Sequence, residues 1–385
     1  MKPKNKPLFI IFGVVFLDLL GFGIVIPILP YYADSMGASG VSLGLLMMCY
    51  SLMQFVFSPI WGRLSDKKGR RPVILTCLIG MAVAMILLGV ASNIYWLFLA
   101  RLFAGLFGAN ISAATAYIAD NTTLEERTKG MGMIGAAFGL GFLFGPALGG
   151  ILSHWGYGTV GFVAASLSLI NFGFAYKYLK DVELSEAERS QRRTHLSLEV
   201  LKGVLASKKV ALPVVLFFLV TTAMAHIETT FGLYLLNKFN VDAYHAGLIL
   251  ALSALVMVLI QGGGIGKLSK AFGEKKLIFV GAALMVGGLV GIINSFVLVS
   301  FIIFMMVYTL GYALTNPSLS STLSKKSPNH LQGLSLGVYH AAGSLGRILG
   351  PLSAGIIYEK IGIQVPFMVS AMLIFLVFVL NFIEI

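Results

Sequence analysis

The sequence predicts an all-α membrane protein in which twelve transmembrane helices form two pseudo-symmetric bundles of six. Its 385 residues are 57% hydrophobic and only 11% charged, with a mean hydropathy of +0.89. Soluble domains carry about 25% charged residues, so this composition indicates a lipid environment. The same motifs also occur twice, at an offset of about 204 residues, which indicates an internal duplication.

Twelve apolar stretches account for nearly the whole chain, and a helix needs roughly 20 apolar residues to cross a bilayer. A polar segment, 181–209, separates an N-terminal bundle, 1–180, from a C-terminal bundle, 210–385. We expect this cytoplasmic linker to be either a helix at the membrane surface or a solvated tether. The predicted spans are 7–32, 42–62, 72–91, 94–119, 128–152, 158–178, 210–236, 244–266, 276–294, 297–323, 331–357 and 363–384.

The basic residues predict the orientation. Most of the 28 lysine and arginine residues lie in the N-terminus, the even-to-odd turns and the 177–209 loop, and only Lys238 and Lys360 fall in the opposite turns. This asymmetry places both termini in the cytoplasm of a multi-pass protein of the cell (inner) membrane. The net charge of +12 therefore reflects the orientation of the chain in the membrane, and nucleic acid is not an expected partner. The first apolar stretch is too long for a signal peptide, so we expect it to remain as span 1.

A glycine-framed charge cluster connects spans 2 and 3, with Gly62, Asp66, Gly69, Arg70 and Arg71 at its fixed positions. Glycine allows the unusual dihedral angles of a tight turn. Asp66 can pair with Arg70 or sit at a helix N-terminus, where the helix dipole favours an anion. We interpret the cluster as a gate that latches the cytoplasmic helix ends. The alternative is a basic loop that only sets orientation.

Span 5 carries a row of small residues around one proline. Small residues let another helix approach closely, and proline removes a backbone hydrogen bond and permits a kink. The row predicts a gating interface that moves, with ordinary helix packing as the alternative. Its members are Gly141, Gly145, Pro146, Gly149 and Gly150, and span 11 repeats part of the row as Gly346, Gly350 and Pro351.

Four ionisable residues inside the spans are the candidates for proton coupling, because such residues are costly in a membrane and functional by default. At about 1.5 Å per residue, Asp18 in span 1 and Arg101 in span 4 reach similar depths. Glu228 in span 7 and Arg347 in span 11 also reach similar depths. We therefore predict two communicating acid–base pairs, Asp18 with Arg101 and Glu228 with Arg347. Static structural pairs are the alternative.

The motif between spans 2 and 3 resembles the signature of the major facilitator superfamily, since 62–71 follow the pattern Gly-x-Leu-x-Asp-[Arg/Lys]-x-Gly-Arg-[Arg/Lys]. Three further matches resemble twelve-span drug:proton antiporters of the tetracycline and multidrug efflux type. They are Gly21 to Pro30 in span 1, Arg101 with its following glycines in span 4, and the small-residue row of span 5. The resemblance implies the fold of that superfamily and favours export.

The resemblance to the tetracycline-efflux branch is partial. Asp120 with Arg127 resembles a second cytoplasmic charge cluster of the family, which we assign to gating. Ala84 stands in span 3 where that branch has an acid, and Met257 stands in span 8 near its expected histidine. These departures weigh against recognition of a tetracycline–metal complex, while Asp18 keeps proton coupling plausible.

The resemblance implies that spans 1, 4, 7 and 10 line a cavity. A chain with 28 phenylalanine and 16 methionine residues suits a broad apolar pocket. Packing explains any single candidate about equally well. The substrate-binding candidates are Gln54, Asn110, Tyr117, Phe231, Tyr234, Gln261, Tyr308, Tyr312 and Asn316.

These features predict a proton-coupled exporter of amphipathic small molecules that works by rocker-switch alternating access. The alternatives are a lipid or lysolipid exporter of the same fold and, in a different class, a membrane sensor. A sensor is not expected, because the sequence ends at Ile385 without an output domain. An enzyme is not expected either, since no nucleophile–base set or metal-ligand spacing occurs. We expect a monomer in the lipid bilayer that binds substrate and protons and uses no cofactor beyond the proton gradient.

Overall fold

The computed structural model describes residues 6–108, 113–114, 116–118, 124–180, 208–327 and 332–383. Within these ranges all regular secondary structure is helical, as the composition predicts. The helices are α1 (Lys6–Val25), α2 (Leu29–Ser35), α3 (Gly40–Lys68), α4 (Arg70–Gly89), α5 (Ile94–Phe107), α6 (Leu124–Ser153), α7 (Tyr157–Tyr178), α8 (Lys208–Phe239), α9 (Ala243–Leu259), α10 (Ile265–Phe272), α11 (Glu274–Ile293), α12 (Leu298–Lys326), α13 (Gln332–Lys360) and α14 (Val365–Ile383).

Among the described residues, 10 helical segments are long and apolar enough to cross a membrane. The two remaining predicted spans also coincide with helix. Span 4 contains α5 and further helical residues at 113–114 and 116–118, and span 11 corresponds to α13. The chain is therefore a multi-pass membrane protein, and the count of twelve spans stays a prediction.

Two predicted spans are interrupted where proline or glycine weakens the helix. A turn at 26–28 that includes Pro27 divides span 1 into α1 and α2, because proline has no N–H to donate. Span 8 contains a π-helical turn, Ile260–Gly264, between α9 and α10. Three consecutive glycines in this turn lower the stability of a regular helix, and π-helical turns are frequent at functional sites.

The helices form two compact units, each of which includes a short piece from the other half of the sequence. The first unit comprises Met1–Ala38, Cys49–Thr194 and Asp242–Ala251, and the second comprises Ser39–Met48, His195–Val241 and Leu252–Ile385. The start of α9 thus belongs to the first unit and the start of α3 to the second. Residues 181–207 of the predicted linker lie outside the described residues, so the predicted domain boundaries remain predictions.

In the first unit, the small residues of α6 bring this helix against α1. A Cβ atom added at Gly145 would lie 2.6 Å from the Cα of Gly23, and one at Gly141 would lie 2.8 Å from the Cβ of Leu19. Real Cβ contacts essentially never fall below 3.0 Å, so larger side chains do not fit here. Gly150 instead faces the start of α9. The row that predicted a moving interface therefore packs largely against α1 within one unit.

The second unit repeats this packing between α8 and α13. A Cβ atom at Gly346 would lie 3.0 Å from Oγ1 of Thr222, and one at Gly350 would lie 2.6 Å from the Cβ of Ala225. These glycines are the sequence repeats of Gly141 and Gly145. The matched structural roles predicted for the two copies are confirmed.

Candidate functional site

Arg101 is a buried cation of the first unit. Its side chain is 5% exposed, and its guanidinium carbon lies 4.3 Å from the centroid of the Tyr50 ring. Gly105, one helical turn further along α5, permits this approach, because a Cβ there would lie 2.4 Å from the Tyr50 carbonyl oxygen. An aromatic face attracts a cation strongly when both are removed from water. Tyr50 was not predicted from the sequence, although its position one turn before Gln54 on α3 was an available signal.

Asp18 and Arg101 do not form an ion pair in the described part of the chain. Asp18 is partly buried on α1 and lies within electrostatic range of Cys77 on α4. The electrostatic neighbours of Arg101 are Tyr50 and Cys49 on α3. The predicted communication between Asp18 and Arg101 therefore has no direct contact in this conformation and stays a prediction.

Two other substrate-binding candidates of the first unit, Gln54 and Tyr117, make contacts within the protein. The Nε2 of Gln54 donates to the Gly108 carbonyl oxygen at 2.8 Å and to the Tyr50 hydroxyl at 3.4 Å, which joins α3 to the end of α5. Tyr117 is 2% exposed and packs in the core between α1 and α4. Asn110, Asp120 and the side chain of Arg127 lie outside the described residues, so their predicted roles stay predictions.

Glu228 and Arg347 lie within electrostatic range of each other in the second unit, and their predicted role as a communicating pair stays a prediction. Glu228 of α8 is partly buried, and Arg347 of α13 is exposed and lies within electrostatic range of it. Tyr308 and Tyr312 of α12 lie within the same range of Glu228. Arg347 donates to the Ser344 hydroxyl at 3.3 Å, and among the described ion pairs none joins it directly to Glu228. We call Glu228, Tyr308, Tyr312 and Arg347 the Glu228 cluster.

Unused hydrogen-bonding capacity surrounds this cluster. The hydroxyl oxygens of Tyr308 and Tyr339 are buried and have no hydrogen-bond partner among the described residues. Buried polar atoms of this kind are uncommon and require an explanation. The Tyr339 ring stacks on Phe217 at 3.8 Å between centroids, and Tyr339 lies within electrostatic range of Tyr312. The Tyr308 hydroxyl thus lies within electrostatic range of the carboxylate and that of Tyr339 belongs to a stacked ring near Tyr312, so a ligand or water can use both.

The other second-unit candidates are mainly packing residues in this conformation. Tyr234 is fully buried, donates to the Ile292 carbonyl oxygen at 3.2 Å and accepts from Lys238 at 2.7 Å. Phe231 is 3% exposed and packs against aromatic neighbours. Neither residue has an unused buried hydrogen-bonding group of the kind found at Tyr308, so we leave both out of the proposed site. Gln261 donates to a carbonyl oxygen of α12 at 3.5 Å, and Asn316 is partly buried.

The turn between α3 and α4 contains the ion pair that the sequence predicts. Arg70 is 5% exposed, and its Nη2 lies 2.6 Å from Oδ1 of Asp66. Gly69 has a φ of 96°, a conformation that side chains other than glycine rarely adopt. Arg71 donates to the Tyr176 carbonyl oxygen of α7 at 2.8 Å. The cluster thus connects three helices of one unit, and its gating role stays a prediction.

The second copy of this turn reverses the charges. In the first copy, Arg70 donates to the hydroxyl of Ser65 at 2.5 Å. In the second, Glu274 occupies the repeat position of Arg70 and accepts from the hydroxyl of Ser269 at 2.9 Å. Its ion-pair partner is Lys325 at the end of α12. Both copies therefore place a charged pair at the same turn, with opposite signs.

The comparisons with known proteins agree with this architecture. The sequence matches the Major Facilitator Superfamily over residues 11–351 and 265–384. It is 31% identical over 376 residues to multidrug resistance protein 2 of Bacillus subtilis (strain 168), covering 95% of this chain and 92% of that protein. It is also 31% identical over 370 residues to the class D tetracycline resistance protein of Salmonella ordonez, covering 92% of this chain and 90% of that protein.

The fold is similar to the crystal structure of the human organic anion transporter MFSD10 (TETRAN). The TM-score is 0.74 and the identity 24%, over 99% of this chain and 100% of that chain. The chain belongs to the Major Facilitator Superfamily. It is a multi-pass membrane transporter rather than an enzyme.

Proposed function

We propose that the protein is a proton-coupled efflux antiporter of amphipathic small molecules that works by rocker-switch alternating access. Relatives named for multidrug and tetracycline resistance support this substrate class. The observation that carries the proposal is the Glu228 cluster. In it, a membrane carboxylate lies within electrostatic range of one exposed cation and two tyrosines.

A single carboxylate in this setting can exchange a proton for a substrate. Ionised Glu228 is balanced by Arg347, and protonation removes the negative charge and leaves Arg347 without that balance. A cationic or polar substrate group that approaches Glu228 favours the ionised form and so displaces the proton. The hydroxyls of Tyr308 and Tyr312 can donate to the carboxylate or to the substrate. Competition of this kind is the minimum that antiport requires.

The first unit supplies a second acid–base set in the proposal. Arg101 is held by the ring of Tyr50, so it stays charged and fixed while Asp18 gains and loses its proton. The basic ends of the helices face the cytoplasm, which places both termini there, in the cell membrane. The transporter acts as a monomer and uses the proton gradient without any cofactor.

Proton release on substrate binding tests the proposal. Purified protein in weakly buffered detergent solution is mixed with tetracycline or with tetraphenylphosphonium, and the pH change is recorded. We expect release from the wild type, loss of release in Glu228→Gln and a smaller release in Asp18→Asn. Asp34→Asn removes an exposed acid outside both clusters and serves as the matched control. Release that is undiminished in Glu228→Gln would contradict the proposal.

A further inference from the structure

Two seams in the molecule share one backbone geometry. In the first seam, the start of α9 packs against the end of α6 inside the first unit, and a Cβ at Gly247 would lie 2.4 Å from the Pro146 carbonyl oxygen. In the second seam, the start of α3 packs against the end of α13 inside the second unit, and a Cβ at Gly44 would lie 2.4 Å from the Pro351 carbonyl oxygen. Pro351 is the repeat of Pro146, so the seams are counterparts in the duplicated sequence.

A carboxylate closes the second seam. Oε2 of Glu359 accepts from the backbone N–H of Val41 at 2.8 Å, and Oγ of Ser39 caps α3 by accepting from the N–H of Ser42 at 3.3 Å. The start of a helix carries partial positive charge, which favours an anion there. Hydrogen bonds from Val41 and from the Ser39 hydroxyl lower the pKa of Glu359. Glu359 therefore stays charged across the neutral range.

A histidine occupies the equivalent position in the first seam. His154 precedes Glu359 by the same offset of 205 residues that relates the other repeats, and its ring lies 4.8 Å from that of Tyr244. Here the acid is Asp242 at the start of α9, which accepts from the His245 N–H at 3.0 Å and lies 2.6 Å from its ring Nδ1. His154 lies across the seam within electrostatic range of Asp242.

The remaining titratable groups around Asp242 do not change charge near neutral pH. Tyr31 of α2 and Tyr157 of α7 lie within electrostatic range of Asp242, and Asp34 lies within range of Tyr157. Phenols usually titrate near pH 10 and carboxylates near pH 4, each to within about one pH unit. Histidine alone titrates between about pH 5 and 8. His154 is exposed to the medium.

Asp242 keeps its negative charge near neutral pH. Burial opposes ionisation, but the N–H and the ring of His245, with the charge of His154, together lower the pKa of Asp242. The contact between Asp242 and His245 lies within α9 and is present whether or not the seam is closed. Only the attraction between Asp242 and His154 crosses the seam.

We infer that His154 is a proton-binding site, separate from the Glu228 cluster, whose protonation holds the first seam closed. Protonated His154 is attracted to ionised Asp242 only while the seam is closed. Acidification, which charges histidine, therefore favours the closed seam. The second seam has Glu359 at this position, so acidification over the same pH range does not stabilise it.

The inference goes beyond the proposed function and rests on its orientation and on its alternation between two states. In that orientation both seams lie at the face opposite the cytoplasm, because they flank the turns with the fewest basic residues. His154 would then report the pH of the external medium. The side chains of His245 and Asp242 are 60% and 58% exposed, so solvent screens this region. An exposed ion pair shifts an equilibrium constant by about two- to fivefold. We therefore expect the charge on His154 to shift the opening of the first seam by about this factor.

Hydrogen–deuterium exchange of the full-length protein in lipid nanodiscs measures the seam directly. Uptake in residues 242–251, corrected for the intrinsic pH dependence of exchange, is compared at about pH 7.5 and 5.5, which bracket the histidine range. We expect the wild type to exchange about two- to fivefold more slowly at the acid pH. His154→Gln should lose this dependence, and His154→Arg, which carries a permanent charge, should be protected at both pH values.

The control variants separate this site from its neighbours. His245→Gln and Glu359→Gln should both keep the pH dependence, because neither removes the charge that crosses the first seam. Unchanged uptake in α11 shows that each variant is folded. An absent pH dependence in the wild type, a dependence that survives in His154→Gln, or one lost only in His245→Gln would each overturn the inference. None of these results affects proton release through Glu228, so the proposed function would stand.

Discussion

Replacing Gly145 with alanine tests whether α6 and α1 form a seam that tolerates no side chain. The added Cβ would lie 2.6 Å from the Cα and 2.7 Å from the carbonyl carbon of Gly23. These are backbone atoms, which cannot rotate away as a side chain can, so the helices must separate by several tenths of an ångström. Overpacking of this kind costs about 1–3 kcal/mol.

Gly135→Ala in the same helix is the matched control, because a Cβ there meets no atom of the described residues within 4 Å. Both substitutions gain the same helix propensity, about 1 kcal/mol, so the difference between them isolates the packing cost. We expect Gly145→Ala to be less stable than Gly135→Ala by about 1–3 kcal/mol, measured by thermal unfolding of the purified protein followed by circular dichroism. Equal unfolding midpoints for the two variants would refute the packing argument.

Two further substitutions test buried charges. Tyr50→Leu removes the ring under Arg101, a contact worth about 2 kcal/mol when desolvated, so it should lower tetracycline or tetraphenylphosphonium transport in proteoliposomes. Tyr50→Phe keeps the ring and should retain most of this transport, and equal activity of the two variants would argue against the ring contact. Asp66→Asn removes one carboxylate that pairs with the buried Arg70 and should cost about 1–2 kcal/mol in thermal unfolding, because the partly exposed Asp66 is screened. Lys68→Gln in the same turn is the control, and similar midpoints for both would count against the Asp66 ion pair.

Local features of the sequence predicted much of the fold correctly. The Asp66–Arg70 pair joins residues four apart in the sequence, at the turn between α3 and α4, so their spacing was enough to propose it. The matching glycine rows of α6 and α13 follow directly from the repeat. The breaks at Pro27 and at Ile260–Gly264 escaped the prediction because hydropathy over a whole span does not register a local loss of backbone hydrogen bonds.

The sequence predicted which site residues lie near each other only where their depth in the membrane was enough to decide it. Glu228 and Arg347 were paired from their distances to the span ends, and the structure places them within electrostatic range. The same reasoning paired Arg101 with Asp18, yet Arg101 lies over Tyr50. Depth gives the height of a residue in the membrane but not the face of its helix. The face depends on how α5 is rotated relative to α3. The close approach of the two helices at Gly105 sets this rotation.

By itself, the sequence determined the lipid environment, the helical class, the duplication and the short-range pairs, because these depend on composition and on neighbours within a few turns. The tertiary structure alone decided which distant residues meet. It placed the start of α9 in the first unit and the start of α3 in the second. It also set His154 across a seam from Asp242 and gave Glu274 its partner Lys325. Such contacts join residues tens to hundreds of positions apart, and the packing of whole helices determines them.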